Sequence, residues 1–136
     1  YTAMGVFAVD YRGAWILIDG IHKKQEFTMS INDLFMLVKK YTLGMRVPTV
    51  LVEKTGQQLG LISVLRDEQY KRNTMFLFGS NKGTHSKTKD YSINSYGIDL
   101  KGVSKTERFI VHALPQIHNG LVFLGMGHVG DYRYNE

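Results

Sequence analysis

The sequence predicts an α/β fold: a central sheet, mixed at an opening hairpin and parallel elsewhere, flanked by helices in three layers. Three observations carry this. The chain opens on two apolar runs separated by a short glycine-bearing turn. The apolar spacing then shifts to a helical period and back more than once. Read in order, the elements are β-β-α-β-α-β-loop-α-β, and strands alternating with helices after a hairpin close into a layered sheet by crossovers.

The first strand is read at 2–10, TAMGVFAVD, and the second in AWILIDGI after Tyr11-Arg12-Gly13. Together they predict a β-hairpin. The unbroken run Trp15-Ile16-Leu17-Ile18 predicts burial on both faces of the second strand, with Trp15 inside. From Ser30 the period changes: Ile31, Leu34, Phe35, Val38 and Tyr41 share one helix face. Ser30 followed by Asp33 resembles a capping box, with Asp in place of the usual Glu or Gln. Lys39 and Lys40 complement the dipole in the last turn, and Gly44 and Pro48 mark the exit.

A strand follows at 47–53, then a helix over about Gln57 to Tyr70 with Leu59, Ile62 and Leu65 inward, then a short strand in TMFLFG at 74–79. Residues 80–103 form a polar stretch too long for an ordinary connection, which reads as a functional or mobile loop. The third helix opens on Ser104 and Glu107, a regular capping box, and is predicted to bury Phe109, Ile110, Ala113, Leu114 and Ile117. Pro115 removes one helical hydrogen bond and predicts a kinked or shortened final turn. His118-Asn119-Gly120 stops the helix, and LVFL at 121–124 is the last strand. Met4, Met29, Met36 and Met45 read as core filler.

With 136 residues, 43% hydrophobic and 21% charged, the chain has the make-up of one globular domain. No run of about 18 apolar residues is present to span a bilayer, and no signal peptide is evident. The absence of cysteine excludes disulfides and thiolate metal sites. A net charge of +5 leans towards a polyanionic partner, although weakly by itself. The abrupt start in a strand and the ending YRYNE read as a fragment of something larger.

The most informative residue is Glu53, which closes VPTVLVE just before a glycine-bearing turn and a helix. Working groups of parallel α/β sheets lie beyond the carboxyl ends of the strands. A carboxylate there suits Mg²⁺ or Mn²⁺, hard cations that prefer oxygen. The alternative is a strand-end carboxylate favoured by the N-terminus of the next helix. Asp10 reads first as a hairpin-turn residue. Lys105 and Arg108 lie on one turn, about 4.5 Å apart along the axis; they fit either a DNA phosphate or an ordinary solvated helix start. Lys82, Lys87, Lys89 and Lys101 form either an electrostatic funnel, with Tyr91 and Tyr96 packing on sugar or backbone, or a basic surface loop. The histidines have no zinc-binding spacing.

Taken in order, GVFAVDYRGAWILIDGI, SINDLFMLVKKY, VPTVLVEKTGQQLGLISVL, KTERFIVHALPQIHNGLVFL and DYRYNE resemble the nuclease domain of the large terminase subunit of tailed phages and herpesviruses. The resemblance implies a single ribonuclease H-like nuclease domain over residues 1–136. It implies a metal-dependent endonuclease that cuts concatemeric double-stranded DNA, with two Mg²⁺ or Mn²⁺ ions held by three acids. Glu53 matches the middle acid. The first and third acids fall outside the chain on this alignment, so the resemblance also implies a fragment lacking the first strand and last helix. Asp10 is the alternative first acid, and Asp19 matches a structural strand-end acid. Implied partners are DNA, an ATPase domain of the same parent chain, the portal protein and the small terminase subunit, in an oligomeric ring with no membrane. The implied setting is the procapsid, in the host cytoplasm for a phage or the nucleus for a herpesvirus-like parent. No G-x-x-x-x-G-K-[ST] sequence is present, so the motor lies elsewhere in that parent. Two other readings stay open: a Holliday-junction resolvase type of ribonuclease H-like nuclease, with an acid set beginning at Asp10, and a non-catalytic nucleic-acid-binding α/β module.

Overall fold

A computed structural model describes residues 1–42, 44, 46–54, 59–79, 98–99, 102 and 104–124. The elements follow the predicted order: β1 (Thr2–Val9), β2 (Trp15–Lys23), α1 (Phe27–Tyr41), β3 (Thr49–Val50), β4 (Glu53–Lys54), α2 (Leu59–Lys71), β5 (Leu77–Phe78), β6 (Ile98–Asp99), and a helical run of α3 (Lys105–Arg108), a π-helical stretch (Phe109–Ala113) and α4 (Leu114–His118), then β7 (Val122–Leu124). The protein is mixed α/β. Pairing directions match the sequence reading: β1–β2 is antiparallel, while β2–β7, β3–β5 and β4–β6 are parallel. The ladders form a three-stranded sheet of order β1-β2-β7 and two two-stranded sheets. The chain divides into two compact units, one of residues 27–102 and one of residues 1–26 with 103–136.

The unit of residues 27–102 holds nearly all the buried apolar side chains described. One face of α1 (Ile31, Phe35, Val38) packs with Val52, with Ile62 and Leu65 of α2, and with Phe76. Phe35 and Phe76 meet edge-to-face at 5.6 Å, and Phe76 meets Phe78 at 5.1 Å, a geometry that adds to the area term. The helical spacing anticipated both helix faces. Leu59, the third inward residue expected of α2, has a side chain outside the described set. Helix α1 starts at Phe27, one turn before Ser30, so Ser30 is no N-cap. Residues 27–29 contain no helix breaker, and Glu26 just ahead complements the dipole. The added turn carries Phe27 and Met29 outward, and Met36 also faces solvent; each is about half exposed, so Met29 and Met36 are not core.

The strand expected at 47–53 is broken. Thr49–Val50 pairs with Leu77–Phe78, whereas Glu53–Lys54 pairs with Ile98–Asp99. Between them Val52 turns into the core at 8% exposure while Leu51 turns out at 59%. A Cβ at Gly79 would meet the tip of the exposed Leu51 side chain, which would have to shift. At the end of α2, the Thr74 amide donates to the Gln69 carbonyl and the Asn73 amide to that of Tyr70, with Asn73 at φ 47°. This is a Schellman cap with asparagine in the left-handed position. The Gln69 side chain, itself buried, donates through Nε2 to the Phe76 carbonyl at 3.1 Å and ties the helix end to β5.

In the other unit, β1 alternates half-buried and exposed residues along its whole length. Strand β2 is not buried on both faces: Trp15 is 42% and Ile18 45% exposed. Trp15 lies edge-on to Phe7 at 5.7 Å. The third helix forms with its predicted cap, Ser104 Oγ accepting from the Glu107 amide at 3.1 Å, but its apolar residues are not buried. Phe109, Ile110 and Ile117 are about half exposed. Pro115 does not shorten the run, which continues to His118. The turn before the proline widens to π, and the Leu114 amide reaches the Phe109 carbonyl five residues back. An extra residue per turn lets the helix pass a position that lacks an amide, at the cost of rotating the apolar stripe out of phase. The run ends in a second Schellman cap: the Leu121 amide donates to Gln116, the Gly120 amide to Ile117, and Gly120 has φ +66°.

Candidate functional site

Glu53 stands three residues after Val50, where the parallel β3–β5 pairing ends with the Gly79 amide donating to the Val50 carbonyl at 3.0 Å. Three residues of extended chain carry it at most about 10 Å further, to the carboxyl end of that pair. The sequence reading closed one strand on Glu53; here that strand ends at Val50 and Glu53 instead opens the β4–β6 pair. Its backbone is held on both sides: Val52 is packed in the core, and Glu53–Lys54 pairs with β6. The Glu53 side chain is half-buried.

The polar stretch 80–103, read from the sequence as a loop, contains strand β6, which only the β4–β6 register brings beside Glu53–Lys54. Glu53 is the register partner of Ile98, and Lys54 of Asp99. Among the described residues no three of His, Cys, Asp or Glu gather as a metal-binding group.

Asp10 is fully engaged by the hairpin turn. Its Oδ1 accepts from the Arg12 and Ala14 amides, both at 2.9 Å, and its Oδ2 from Arg12 Nε at 2.9 Å. The Ala14 amide above all, with Arg12 beside it, holds the carboxyl below the usual carboxylate range. The turn closes with the Asp10 amide on the Ala14 carbonyl and the Gly13 amide on the Asp10 carbonyl. Asp19 Oδ1 accepts from the Gly20 amide at 2.8 Å, a local strand contact.

Lys105 and Arg108 share the first turn behind Ser104; Lys105 is exposed and Arg108 half-buried. They belong to the same unit as Asp10, and Glu53 to the other. Lys82, Lys87, Lys89 and Lys101, with Tyr91 and Tyr96, lie outside the described residues. His112 and His118 are exposed on the helical run. Among the described residues no helix is long and apolar enough to cross a membrane. No family model matches this chain, and neither does any curated protein or solved structure.

Proposed function

We propose that the chain is a ribonuclease H-like nuclease domain of the terminase large-subunit type, cutting double-stranded DNA with Mg²⁺ or Mn²⁺. The observation that supports the reading is the placement of Glu53: a half-buried carboxylate that opens the parallel β4–β6 pair just past the end of β3–β5, on backbone adjoining the core residue Val52. A group that must hold an ion needs that rigidity more than it needs exposure. The net charge of +5 accords with a phosphate backbone as the partner.

A hard divalent ion takes six or more oxygen ligands. Glu53 supplies at most two of these oxygens. Glu53 is therefore assigned as one ligand, and no step of the reaction is drawn through the ion. Lys105 and Arg108 are assigned to the DNA backbone, positioning it without reading sequence. Asp10, with both oxygens engaged by the turn, is assigned to structure; this weighs against the resolvase-type reading, which needs it as the first acid.

The test is plasmid cleavage in Mn²⁺ or Mg²⁺ by the whole protein that carries these residues, alongside duplex binding. Glu53→Ala is expected to abolish cutting and leave binding within about twofold. Cutting that survives Glu53→Ala overturns the assignment. Binding lost on charge reversal at Lys105 and Arg108, with no cleavage by the unmodified protein, would establish the binding-module reading instead.

A further inference from the structure

We propose that Asn119–Gly120 is a site of spontaneous deamidation, and that the helix cap built on these two residues sets its rate. The inference is independent of the nuclease reading. Asparagine before glycine is the pair most open to this reaction, because glycine has no side chain to hinder attack by its own nitrogen. Of the six asparagines in the chain, Asn119 alone precedes glycine. It is exposed and follows directly on the last residue of the helical run.

The chemistry needs only water as co-reactant. The Gly120 nitrogen attacks Asn119 Cγ, the new N–C bond forms, and the Cγ–Nδ2 bond breaks. Ammonia leaves with the proton given up by the Gly120 nitrogen. Water then opens the cyclic imide at one carbonyl or the other, leaving aspartate or its β-linked isomer at that position. The folded geometry opposes the first step twice over. The Gly120 amide donates to the Ile117 carbonyl at 3.0 Å, so its nitrogen is engaged. Asn119 stands at φ −80°, ψ 3°. Ring closure needs ψ turned by about a third of a revolution, to a value outside the well-populated regions for an L-residue. The Asn119 amide on the Pro115 carbonyl at 3.0 Å and the Leu121 amide on the Gln116 carbonyl at 2.9 Å hold the cap further. Attack therefore waits for the cap to open, and the folded rate is the open-chain rate scaled by the open fraction.

The product acts back on the cap. Either isomer puts a negative charge at the C-terminal end of the helical run, where the dipole disfavours it. The β-linked isomer also lengthens the backbone inside the cap and spoils the spacing of the Gly120 and Leu121 bonds. The Leu121 carbonyl accepts from the Trp15 amide at 2.7 Å, so the change reaches the joint between this helix and the sheet.

Peptide mapping by mass spectrometry of the 136-residue chain, incubated in mildly alkaline buffer with and without unfolding urea, tests this. In urea, Asn119 should convert before any other asparagine. Folded, it should convert about tenfold or more slowly. Leu121→Pro removes one cap amide and keeps the Asn–Gly pair, and should speed conversion severalfold over Leu121→Ala, which keeps that amide. Hydrogen exchange at the Gly120 amide reads the same opening in the unsubstituted chain, and should be slowed relative to urea. Equal conversion folded and unfolded, another asparagine converting first in urea, Leu121→Pro no faster than Leu121→Ala, or an unprotected Gly120 amide would overturn the proposal.

Discussion

Helix α1 and the run from Lys105 to His118 start from equally regular sequence patterns and end differently. In α1, Ile31, Phe35, Leu37 and Val38 are all buried, and the α period holds from end to end. In the later run the cap forms as expected, yet Phe109, Ile110, Val111 and Ile117 stay about half exposed. The later run contains a π turn before Pro115, but no residue on any side of it is buried, so phase alone does not set the difference. A periodic pattern thus predicts that a helix exists better than it predicts what the helix buries.

The comparison is most sharply tested by paired truncation. Phe35→Ala removes a 2% exposed ring from the core and should cost about 3–5 kcal/mol. Phe109→Ala, at half exposure, should cost about 1 kcal/mol or less. Urea unfolding of both variants measures the gap, and equal losses would mean the run buries its stripe after all. Next in size, Gln69→Leu strands the Phe76 carbonyl in the core and should cost about 1–3 kcal/mol.

Arg72 offers a smaller effect in the same unit. Its guanidinium lies 4.9 Å from the Phe35 ring centroid, and it donates to Glu68 and Asn32, each at 2.7 Å. Arg72→Ala should cost about 1 kcal/mol, measured in the same way. Glu68, held below the ordinary range first by Arg72 and then by Lys71, and Asp10, held down by the Ala14 amide and Arg12, titrate lower in the folded chain than unfolded. What they contribute is complete above the ordinary carboxylate value, about pH 4, and is lost as pH falls through their folded values. Asp10→Asn should flatten part of the acid limb of a stability–pH profile by lowering its plateau above about pH 6, the two profiles converging at low pH. Smallest is Asn73→Gly, which relieves a left-handed asparagine and should raise stability by up to about 1 kcal/mol.

Much of this architecture was legible along the chain because it is set by neighbours in sequence. The hairpin, the helix faces of Ile31–Val38 and Ile62–Leu65, the Ser104–Glu107 cap and the stop at Gly120 rest on local rotation, local hydrogen bonds and a sterically free glycine. The place of Glu53 was not legible, because the strand read to end on it stops at Val50 and Glu53 opens another pair. Trp15 was misread because an apolar run records what a strand could bury, and burial depends on what covers it. Strand β6 was invisible because its pairing with β4 exists only across more than forty residues of intervening chain.

By itself, then, the sequence determined which segments coil, which extend and where they turn, since those choices are made within a few residues by sterics and backbone hydrogen bonding. Tertiary structure alone decided that the strand 47–53 changes partner at Leu51–Val52, and which apolar faces are covered. Those outcomes depend on distant residues competing for the same space, and no local pattern encodes that competition.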